Sequence, residues 1–416
     1  HFVGMGGSGM SGIAEVMIGL GYKIQGSDIR MSEQLERLKA LGAKVFLGHL
    51  PENIKKADAL VVSSAISSNN CEVVEAKKKM LPVVARAEML AELMRFYYSI
   101  AVSGTHGKTT TTSLISTLLA EGGLDPTYII GGCLKSSNSH AKLGLGEYLV
   151  AEADESDASF THLKPIISIL TNIDFDHMST YEHDKNKLYS GFLSFLHNLP
   201  FYGLAIVCLD DPGVKEVMPK ISRSVITYGT TDKADIYAKD IHFSESKTSF
   251  EVYRKNKNKK ISVELNLPGI HNIQNALAAI AVATELDIDD KSIIEAFKNF
   301  SGINRRFQVT KNITVKDGKI TLIDDYGHHP TEILATINAI KSGWGSKRIT
   351  LLFQPHRYTR TKELFSEFVE VLSQVDQLIL TEIYAAGEEP IDNISGQSIM
   401  EDIKNKSSKK PIFVRS

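Results

Sequence analysis

A glycine-rich run that ends in a lysine and two threonines is the strongest chemical signal in this chain. Residues 103–110 read S-G-T-H-G-K-T-T, directly after an apolar run and directly before a helical pattern of leucines. Glycines let backbone N–H groups close around phosphate oxygens, and a helix N-terminus adds positive potential. Lys108 would neutralise phosphate charge, and the Thr109 hydroxyl can ligate Mg²⁺. The run predicts a nucleotide phosphate site, in a shorter form than the full G-x-x-x-x-G-K-[ST] pattern.

Two more polar segments follow apolar strand patterns. Residues 152–157 contain four acids in six positions, and residues 171–177 end in a histidine. Ligands of open α/β sheets bind beyond the carboxyl ends of the strands. Taken alone, Glu152 is better explained as part of a solvated acidic turn and His177 as a capping histidine. Their shared position beyond consecutive strands favours a metal site.

The opening of the chain carries a second glycine pattern. Residues 4–9 read G-M-G-G-S-G, which satisfies G-x-G-x-x-G between a strand and a helix pattern, and Asp28 ends the next strand. This pattern predicts binding of a nucleotide diphosphate. An NAD-dependent oxidoreductase is therefore one alternative. A second phosphate loop at Lys108 weakens that alternative. An enzyme with two separate phosphate-binding loops more plausibly hydrolyses one nucleotide and recognises another as part of its substrate.

Four other polar clusters have side chains suited to holding anions. Arginine binds carboxylate and phosphate oxygens in bidentate geometry, and two of the clusters directly follow apolar strands. Each cluster alone is better explained by surface arginines and a helix-capping His-Pro pair. The clusters are residues 268–275, 304–307, 324–330 and 354–360.

β-Sheets must position these polar segments, and the hydrophobic pattern predicts three successive series of alternating strands and helices. Residues 1–98 alternate short apolar runs with helical patterns, as βαβ units do. The second series, residues 99–303, ends in a β-hairpin around the basic run 254–260, which we interpret as a solvated tip rather than a nucleic-acid site. The third series, from residue 304 to 416, is predicted to contain strands at 320–323, 349–353 and 378–380.

Composition excludes several classes of protein. The 416 residues are 43% hydrophobic and 23% charged, and 47 basic against 49 acidic side chains give a net charge of −2. We expect several globular domains with small-molecule partners, no nucleic acid and no membrane. Three scattered cysteines fit neither a disulfide framework nor a zinc knuckle, and favour the cytoplasm. The patterns at both ends predict that the natural chain continues further.

Taken in order, these motifs resemble the Mur ligase family, the ATP-dependent amide-forming enzymes of peptidoglycan synthesis. The match covers essentially the whole chain and includes the opening glycine loop with residues 63–66 after the apolar run 59–62, residues 86–96 leading into the phosphate loop, and residues 195–203. The resemblance implies a three-domain α/β fold. An N-terminal Rossmann-like domain would bind the UDP moiety, a central P-loop ATPase-type domain would bind ATP, and an incomplete C-terminal Rossmann-like domain would bring the amino acid.

The resemblance also implies an activity, in which UDP-N-acetylmuramate and L-alanine are joined with ATP and Mg²⁺. The lactyl carboxylate would attack the γ-phosphate to give an acyl phosphate and ADP, and the alanine amine would then displace phosphate. Relatives that add later amino acids carry a carbamoylated lysine, whereas this chain has no lysine between Lys187 and Lys215, as in the alanine-adding branch. A cytoplasmic monomer or homodimer is expected.

Carried over position by position, the resemblance implies the following roles. The catalytic residues would be Lys108, Glu152, His177 and Arg306, of which Glu152 and His177 would hold Mg²⁺ together with Thr109. ATP would contact Gly104, Thr105, His106, Gly107, Lys108, Thr109, Thr110, Asn272, Asn275 and Asp325. The UDP moiety would contact Gly6, Gly7, Ser8, Gly9, Met10, Asp28, Ser63, Ser64 and Ala65. The amino acid would lie near Tyr326, His328, His356, Arg357 and Arg360.

Three alternatives stay open at this point. A recycling ligase that attaches a whole tripeptide to the same UDP-sugar is the nearest, although residues 304–308 and 325–330 look more like the alanine enzyme. The oxidoreductase predicts NAD(H) at residues 4–9, where the ligase predicts UDP. A non-catalytic binding protein is disfavoured because Lys108, Glu152 and His177 are all present.

Overall fold

A computed structural model of the chain describes residues 1–135, 139–316, 318–406 and 409–415, with the backbone only at residue 258. The described chain divides into two units. The first comprises His1–Ile241, Ser249–Asn266 and Asn272–Asn304, and the second comprises His242–Thr248, Leu267–His271 and Arg305–Ser416. In the described ranges, none of the helices combines the length and the apolar character needed to span a bilayer.

The N-terminal part of the first unit is a five-stranded parallel sheet with the strand order β3-β2-β1-β4-β5. The order reverses direction between β1 and β4, which is the place where open α/β sheets bind ligands. The strands are β1 (Phe2–Val3), β2 (Gln25–Asp28), β3 (Lys44–Leu47), β4 (Leu60–Val62) and β5 (Val83–Ala85), and the helices are α1 (Ser8–Gly19), α2 (Glu33–Ala40), α3 (Cys71–Lys78) and α4 (Arg86–Met94).

The central part is a ten-stranded sheet with the order β15-β14-β13-β12-β11-β10-β6-β9-β7-β8. Its strands are β6 (Tyr98–Ser103), β7 (Thr127–Leu134), β8 (Ser139–Lys142), β9 (Tyr148–Glu152), β10 (Ile167–Leu170), β11 (Leu204–Cys208), β12 (Ser224–Gly229), β13 (Ile236–Ser244), β14 (Lys247–Arg254) and β15 (Lys257–Leu265). Its helices are α5 (Lys108–Glu121), α6 (Lys185–His197), α7 (Pro212–Val217), α8 (Ile270–Glu285) and α9 (Asp290–Asn299). β14 and β15 form the hairpin that the alternating pattern predicts.

Helix α5 is buried although hydroxyl residues fill its first half. The hydroxyls of Thr112, Ser113, Ser116 and Thr117 each donate to the carbonyl four residues earlier at 2.8 Å. A buried hydroxyl without a partner is costly, and this back-bonding satisfies each one within the helix. The apolar remainder, including Leu114 and Leu118, packs in the core.

The two sheets of the first unit meet through helix α1, which packs against β7 and β8. Two glycines permit the close approach. A Cβ at Gly12 would lie 3.1 Å from Ile129 Cγ2, and one at Gly19 would lie 2.7 Å from Leu143 Cδ2. Phe2 and Met5 of the N-terminal sheet and Phe160 of the central part belong to one buried apolar cluster.

The second unit contains a three-stranded parallel sheet with the order β18-β19-β20 and a two-stranded antiparallel hairpin, β16-β17. The strands are β16 (Gln308–Val315), β17 (Gly318–Asp324), β18 (Thr350–Phe353), β19 (Gln377–Thr381) and β20 (Ile412–Val414), and the helices are α10 (Pro330–Trp344), α11 (Tyr358–Glu363), α12 (Phe365–Leu372) and α13 (Gly396–Lys406). Its core includes Phe353, Phe368 and Leu380.

One strand prediction in this unit needs correction. Residues 320–323 do form a strand, but it belongs to the antiparallel hairpin and not to the parallel sheet with β18 and β19. Most of β17 is exposed, including Ile320 and Leu322, whereas a strand inside a parallel sheet is buried on both faces. A short apolar run therefore did not distinguish a core strand from an exposed hairpin strand.

Candidate active site

The carboxyl ends of three neighbouring strands bring the predicted central-domain residues to one edge of the sheet. β6 lies between β9 and β10 and is parallel to both, with Val102 opposite Glu152 and Ser103 opposite Leu170. The phosphate loop follows β6, the acidic run begins at the end of β9, and residues 171–177 follow β10. The three segments singled out in the sequence therefore share one edge of the sheet.

The loop before α5 is held by the segment that follows β10. The backbone N–H of His106 donates to Asn172 Oδ1 (2.8 Å), and Asn172 Nδ2 donates to the carbonyl of His106 (2.9 Å). Thr171 Oγ1 donates to the same carbonyl (2.7 Å), and the N–H of Asp174 donates to Thr105 Oγ1 (2.9 Å). This network fixes the loop before any ligand binds.

Two glycines of this loop are required by its geometry. Gly104 has φ +123° and Gly107 has φ +83°, a region that side chains disfavour. A Cβ at Gly104 would lie 2.9 Å from the carbonyl oxygen of Asn172, and one at Gly107 would lie 2.6 Å from Asn275 Oδ1. The loop therefore depends on glycine at both positions. In the helix that follows, Thr110 lies buried in the first turn.

Lys108 lies among carboxylates at the start of α5. Its Nζ donates to Glu155 Oε2 at 2.7 Å, and both side chains are largely buried. Burial lowers the pKa of the lysine, but the carboxylates of Glu155 and Asp154 outweigh that effect and keep the pKa above its ordinary value. Burial raises the pKa of Glu155 to about 7, although the charge of Lys108 acts in the opposite direction. Lys108 is therefore a permanent cation at the helix N-terminus.

Thr109 and Glu152 both lie against two consecutive glycines of β7. A Cβ at Gly132 would lie 2.7 Å from Thr109 Cγ2, and one at Gly131 would lie 2.9 Å from Glu152 Oε2. The N–H of Gly131 donates to Glu152 Oε1 at 2.6 Å. A hydroxyl and a carboxylate in this position are hard oxygen donors, which suit Mg²⁺.

His177 begins a short 3₁₀ segment, Met178–Tyr181, with φ +54°. Its N–H donates to Asp176 Oδ1 at 2.9 Å. The same segment is tied to the acidic run, because Thr180 Oγ1 donates to the carbonyl of Ser156 (2.7 Å) and the Tyr181 hydroxyl donates to the carbonyl of Glu155 (2.6 Å). His177 is half-buried beside this connection.

Asn272 and Asn275 lie in the first turns of α8 and are buried. Asn275 Oδ1 accepts from Thr111 Oγ1 (3.1 Å), and Asn275 Nδ2 donates to Asn272 Oδ1 (3.3 Å). The asparagine pair thus lies beside α5 and the Gly107 turn, although it is more than 150 residues away in sequence.

The N-terminal glycine loop lies between β1 and α1. Gly7 caps α1, and Met10 is buried in its first turns. Asp28 Oδ2 accepts from the N–H of Gly6 at 2.8 Å, so this carboxylate supports the loop itself. Residues 63–65 follow β4, which is adjacent to β1, and therefore reach the same edge of the sheet. The structure brings these predicted UDP-contacting segments together.

Arg86 was not singled out in the sequence, yet it lies at this loop. A Cβ at Gly9 would lie 2.7 Å from one of its guanidinium nitrogens, and Arg86 Nη2 lies 3.2 Å from Asp154 Oδ2. Burial raises the pKa of Asp154, but the charges of Lys108 and Arg86 outweigh this and hold it below its ordinary value. Arg86 begins the run 86–96 that resembles the family, but the sequence analysis gave it no role in the site.

In the second unit, Asp325 and Tyr326 follow β17. The carboxylate of Asp325 accepts from the N–H groups of Phe307 and Gly327, each at 2.8 Å. The guanidinium carbon of Arg306 lies 5.3 Å from the centre of the Tyr326 ring, within cation–π range. Asp325 therefore shapes the turn that carries the exposed Tyr326.

A cluster of rings and guanidinium groups follows β18. The His356 ring stacks on Tyr384 with centroids 5.5 Å apart and lies 5.8 Å from the His328 ring, while Arg360 Nη1 lies 3.3 Å from His356 Nδ1. Arg357 has φ +72° and donates its N–H to the carbonyl of Tyr384 at 2.9 Å. Burial lowers the pKa of His356 to about 4, and the charges of His328, Arg360 and Arg357 add to that effect. The ring is neutral at physiological pH.

The structure thus brings most predicted residues into three clusters, one in each predicted domain. Sequence reasoning missed four features of these clusters. They are Glu155 as the partner of Lys108, the glycine pair 131–132, the two hydrogen bonds between Asn172 and the backbone of His106, and the stacking of Tyr384 on His356. Glu155 lies within the acidic run, so that run was its signal. Asn172 lies within the predicted segment 171–177, so that segment was its signal, whereas Tyr384 lies far along the chain and has no local pattern.

Comparison with known proteins identifies the family. Three consecutive family models match, described as Mur ligase family, catalytic domain (residues 1–98), Mur ligase middle domain (102–283) and Mur ligase, glutamate ligase domain (305–415). The fold is accordingly α/β with three Mur ligase domains.

Solved structures agree. The UDP-N-acetylmuramate-alanine ligase of Thermotoga maritima is 29% identical with a TM-score of 0.83, covering 100% of this chain and 90% of that one. The UDP-N-acetylmuramate:L-alanyl-gamma-D-glutamyl-meso-diaminopimelate ligase of Neisseria meningitides is 27% identical with a TM-score of 0.66, covering 73% and 98%. A murein peptide ligase of Psychrobacter arcticus shares the fold, at 24% identity and a TM-score of 0.74 over 100% and 90%. The chain therefore belongs to the Mur ligase family of peptide-forming ligases.

Proposed function

We propose that this protein joins L-alanine to UDP-N-acetylmuramate, with conversion of ATP to ADP and phosphate through an acyl phosphate. The observation that carries the proposal is the glycine-lined loop with Lys108 at its end, beside Thr109 and Glu152 at one edge of the central sheet. The likeness to the Thermotoga maritima alanine ligase over the whole of this chain supports the choice of substrates.

In this proposal the central site binds ATP. Backbone N–H groups of residues 104–107 and the N-terminus of α5 face the phosphates, and Lys108 neutralises their charge. Asn272 and Asn275 contact the adenine, and Asp325 contacts the ribose with the lone pairs that its two backbone hydrogen bonds leave available. The family resemblance assigns Arg306 to the γ-phosphate.

The donor set fits Mg²⁺. Thr109 and Glu152 would hold the ion that accompanies the ATP phosphates, and His177 would hold a second one. Mg²⁺ would offset the repulsion between the attacking carboxylate and the phosphate oxygens. The glycine pair 131–132 leaves no side chain in front of Thr109 and Glu152, which supports this assignment.

The remaining clusters bind the other two substrates. The glycine loop 4–9 with Ser63, Ser64 and Ala65 would hold the UDP diphosphate. Asp28 would keep the loop in shape through its bond to the N–H of Gly6. Tyr326, His328, His356, Arg357 and Arg360 would surround L-alanine and the muramyl carboxylate. A neutral His356 beside two arginines leaves the cationic charge on the guanidinium groups, which suit carboxylates.

The same proposal includes domain boundaries at 98/99 and 303/304. It also includes a cytoplasmic location and a monomeric or homodimeric state. The tripeptide-adding recycling reaction is the second candidate, because a ligase named for it is 27% identical to this chain. Family membership favours a ligase over the NAD-dependent oxidoreductase.

The deciding experiment follows release of ADP and phosphate from ATP with Mg²⁺ and UDP-N-acetylmuramate. L-alanine and the L-alanyl-γ-D-glutamyl-diaminopimelate tripeptide are compared as acceptors. Release that depends on L-alanine supports the proposal. Release only with the tripeptide assigns the recycling reaction, and release with neither contradicts both substrate pairs.

A further inference from the structure

The ammonium group of Lys108 is fully engaged by the protein itself. Its Nζ donates to the carbonyls of Gly104 (2.7 Å) and Thr105 (3.1 Å) and to Glu155 Oε2 (2.7 Å). An ammonium group has three protons, and these three bonds use all of them. A bond from Lys108 to a phosphate therefore requires that at least one of the three be given up.

Glu155 is the acidic acceptor among the three, charged at a pH above its raised pKa of about 7, and it is anchored. Its side chain is only 3% exposed. Its backbone carbonyl accepts from the Tyr181 hydroxyl (2.6 Å) and from the N–H of Ala158 (3.0 Å). The carboxylate is thus held against Lys108 by the turn that follows β9. The other two acceptors are carbonyls of the phosphate loop itself, which remain near the lysine in any case.

A carboxylate and a phosphate compete for the same cation. Both are anions, and in a buried site their mutual repulsion is stronger than in water. Bringing a phosphate to Lys108 either displaces the Glu155 carboxylate or places a second anion beside it. Each outcome reduces the affinity that the loop would otherwise have for a nucleotide.

We propose that Glu155 is a positioning residue that holds Lys108 in the nucleotide-free protein and competes with the terminal phosphates of ATP for it. The inference rests on the proposed function, since it takes Lys108 as the phosphate-binding cation. Glu155 thereby keeps the lysine aligned along the loop, at a cost in nucleotide affinity.

The test is Glu155→Gln, which has the same shape but no charge. Binding of AMP-PNP, ADP and AMP with Mg²⁺ is measured by calorimetry in the absence of the other substrates, about one pH unit above the pKa of Glu155 so that its side chain is ionised. Because a charged hydrogen bond is lost from the competing state, we expect AMP-PNP to bind about tenfold more tightly. AMP lacks the terminal phosphates that the proposal places against Lys108, so its affinity should be unchanged. A merely structural role for Glu155 would weaken binding of all three.

Two controls exclude a general effect of charge. Asp157→Asn removes one negative charge from the same acidic run, and its carboxylate caps Ser159 rather than binding Lys108. It should leave all three affinities unchanged. In a Lys108→Met background, Glu155→Gln should give a smaller gain for AMP-PNP, because the competition for the lysine is absent and only the repulsion between the two anions remains.

The outcomes separate this inference from the function on which it rests. If the unmodified protein binds no nucleotide with Mg²⁺, the proposed ATP site is wrong. If it binds AMP-PNP and Glu155→Gln binds it equally or less tightly, the competition is disproved and the ATP site stands. A gain of the same size in Asp157→Asn, with AMP, or without Lys108 likewise overturns the role of Glu155.

Discussion

Arg86 Nη2 lies 3.2 Å from Asp154 Oδ2, so a helix of the N-terminal sheet is joined to the acidic run of the central sheet. The guanidinium group also lies beside Gly9, at the start of α1. A single arginine thus lies beside the glycine loop that is predicted to bind a diphosphate and beside the acidic run that is predicted to bind a metal. This arrangement leads to the first prediction.

Arg86→Ala should raise the KM for UDP-N-acetylmuramate by about tenfold, because it removes a cation beside the predicted diphosphate loop. The KM for ATP should change much less. Steady-state kinetics with each substrate varied in turn measures both. Arg95→Ala is the matched control, since Arg95 caps the other end of the same helix and binds the exposed Glu92. Equal effects of the two substitutions would contradict the prediction.

Lys108→Ala should abolish phosphate release from ATP, with a loss in kcat of at least ~100-fold, because the charge that stabilises the transferring phosphoryl group is removed. Binding of UDP-N-acetylmuramate should be nearly unchanged, as measured by calorimetry. Lys142→Ala, at an exposed lysine paired with Asp125, serves as the control. Normal turnover in Lys108→Ala would disprove the mechanism.

Gly104→Ala should destabilise the protein by ~3 kcal/mol, because the new methyl group combines positive φ with a close approach to the backbone of Asn172. Gly123→Ala, at the far end of α5, also has φ +76° but nothing within 4 Å, and should cost only about 1 kcal/mol. Urea denaturation gives both values. A similar loss of stability for both substitutions would mean that backbone strain alone, and not steric crowding, explains the need for glycine at position 104.

Glu72 predicts a pH dependence of stability. It is fully buried and accepts hydrogen bonds from Ser27 (2.5 Å) and Asn53 (2.6 Å). Burial alone would raise its pKa, but hydrogen bonds from His1, Ser27 and Asn53 outweigh this and lower the pKa to about 2. A lowered folded-state pKa stabilises the protein above the unfolded value near 4.5, and this stability is lost as the pH falls towards 2.

The Glu72→Gln variant should therefore lose about 3 kcal/mol of stability at pH 7, and the difference from the unmodified protein should shrink below pH 4.5. Denaturation with urea across this pH range measures the difference. Glu75→Gln changes a partly exposed residue of the same helix, paired with Lys79, and should show almost no pH-dependent difference. A constant loss for Glu72→Gln at every pH would show that its charge is not what stabilises the fold.

The phosphate loop illustrates what the sequence can predict. Gly104, Gly107 and Lys108 carry strong local signals, and the apolar runs on either side predict the strand and the helix that position them. The end of β9 at Glu152 follows from the same logic. These features depend on short stretches of chain, so hydrophobic period and residue type are sufficient to predict them.

Features that depend on distant segments were not predictable in this way. The pairing of Glu155 with Lys108 requires the order of β6 and β9 in the sheet, and the contact of Asn275 with Thr111 spans 164 positions. The assignment of β17 to a hairpin depends on how much of the strand is buried, which a single sequence does not show. No pattern near Arg86 indicates that it reaches Asp154.

The parallel pairing of β6 with β9 also determines where the chain can change length. Side chains alternate between the two faces of a strand, so one residue gained or lost within Tyr148–Glu152 would turn a different side chain towards Gly131 and remove the Glu152 carboxylate from that position. At the tip between β14 and β15, an added residue would only lengthen a turn. Insertions and deletions among natural variants should therefore be excluded from β9 and common at residues 255–256.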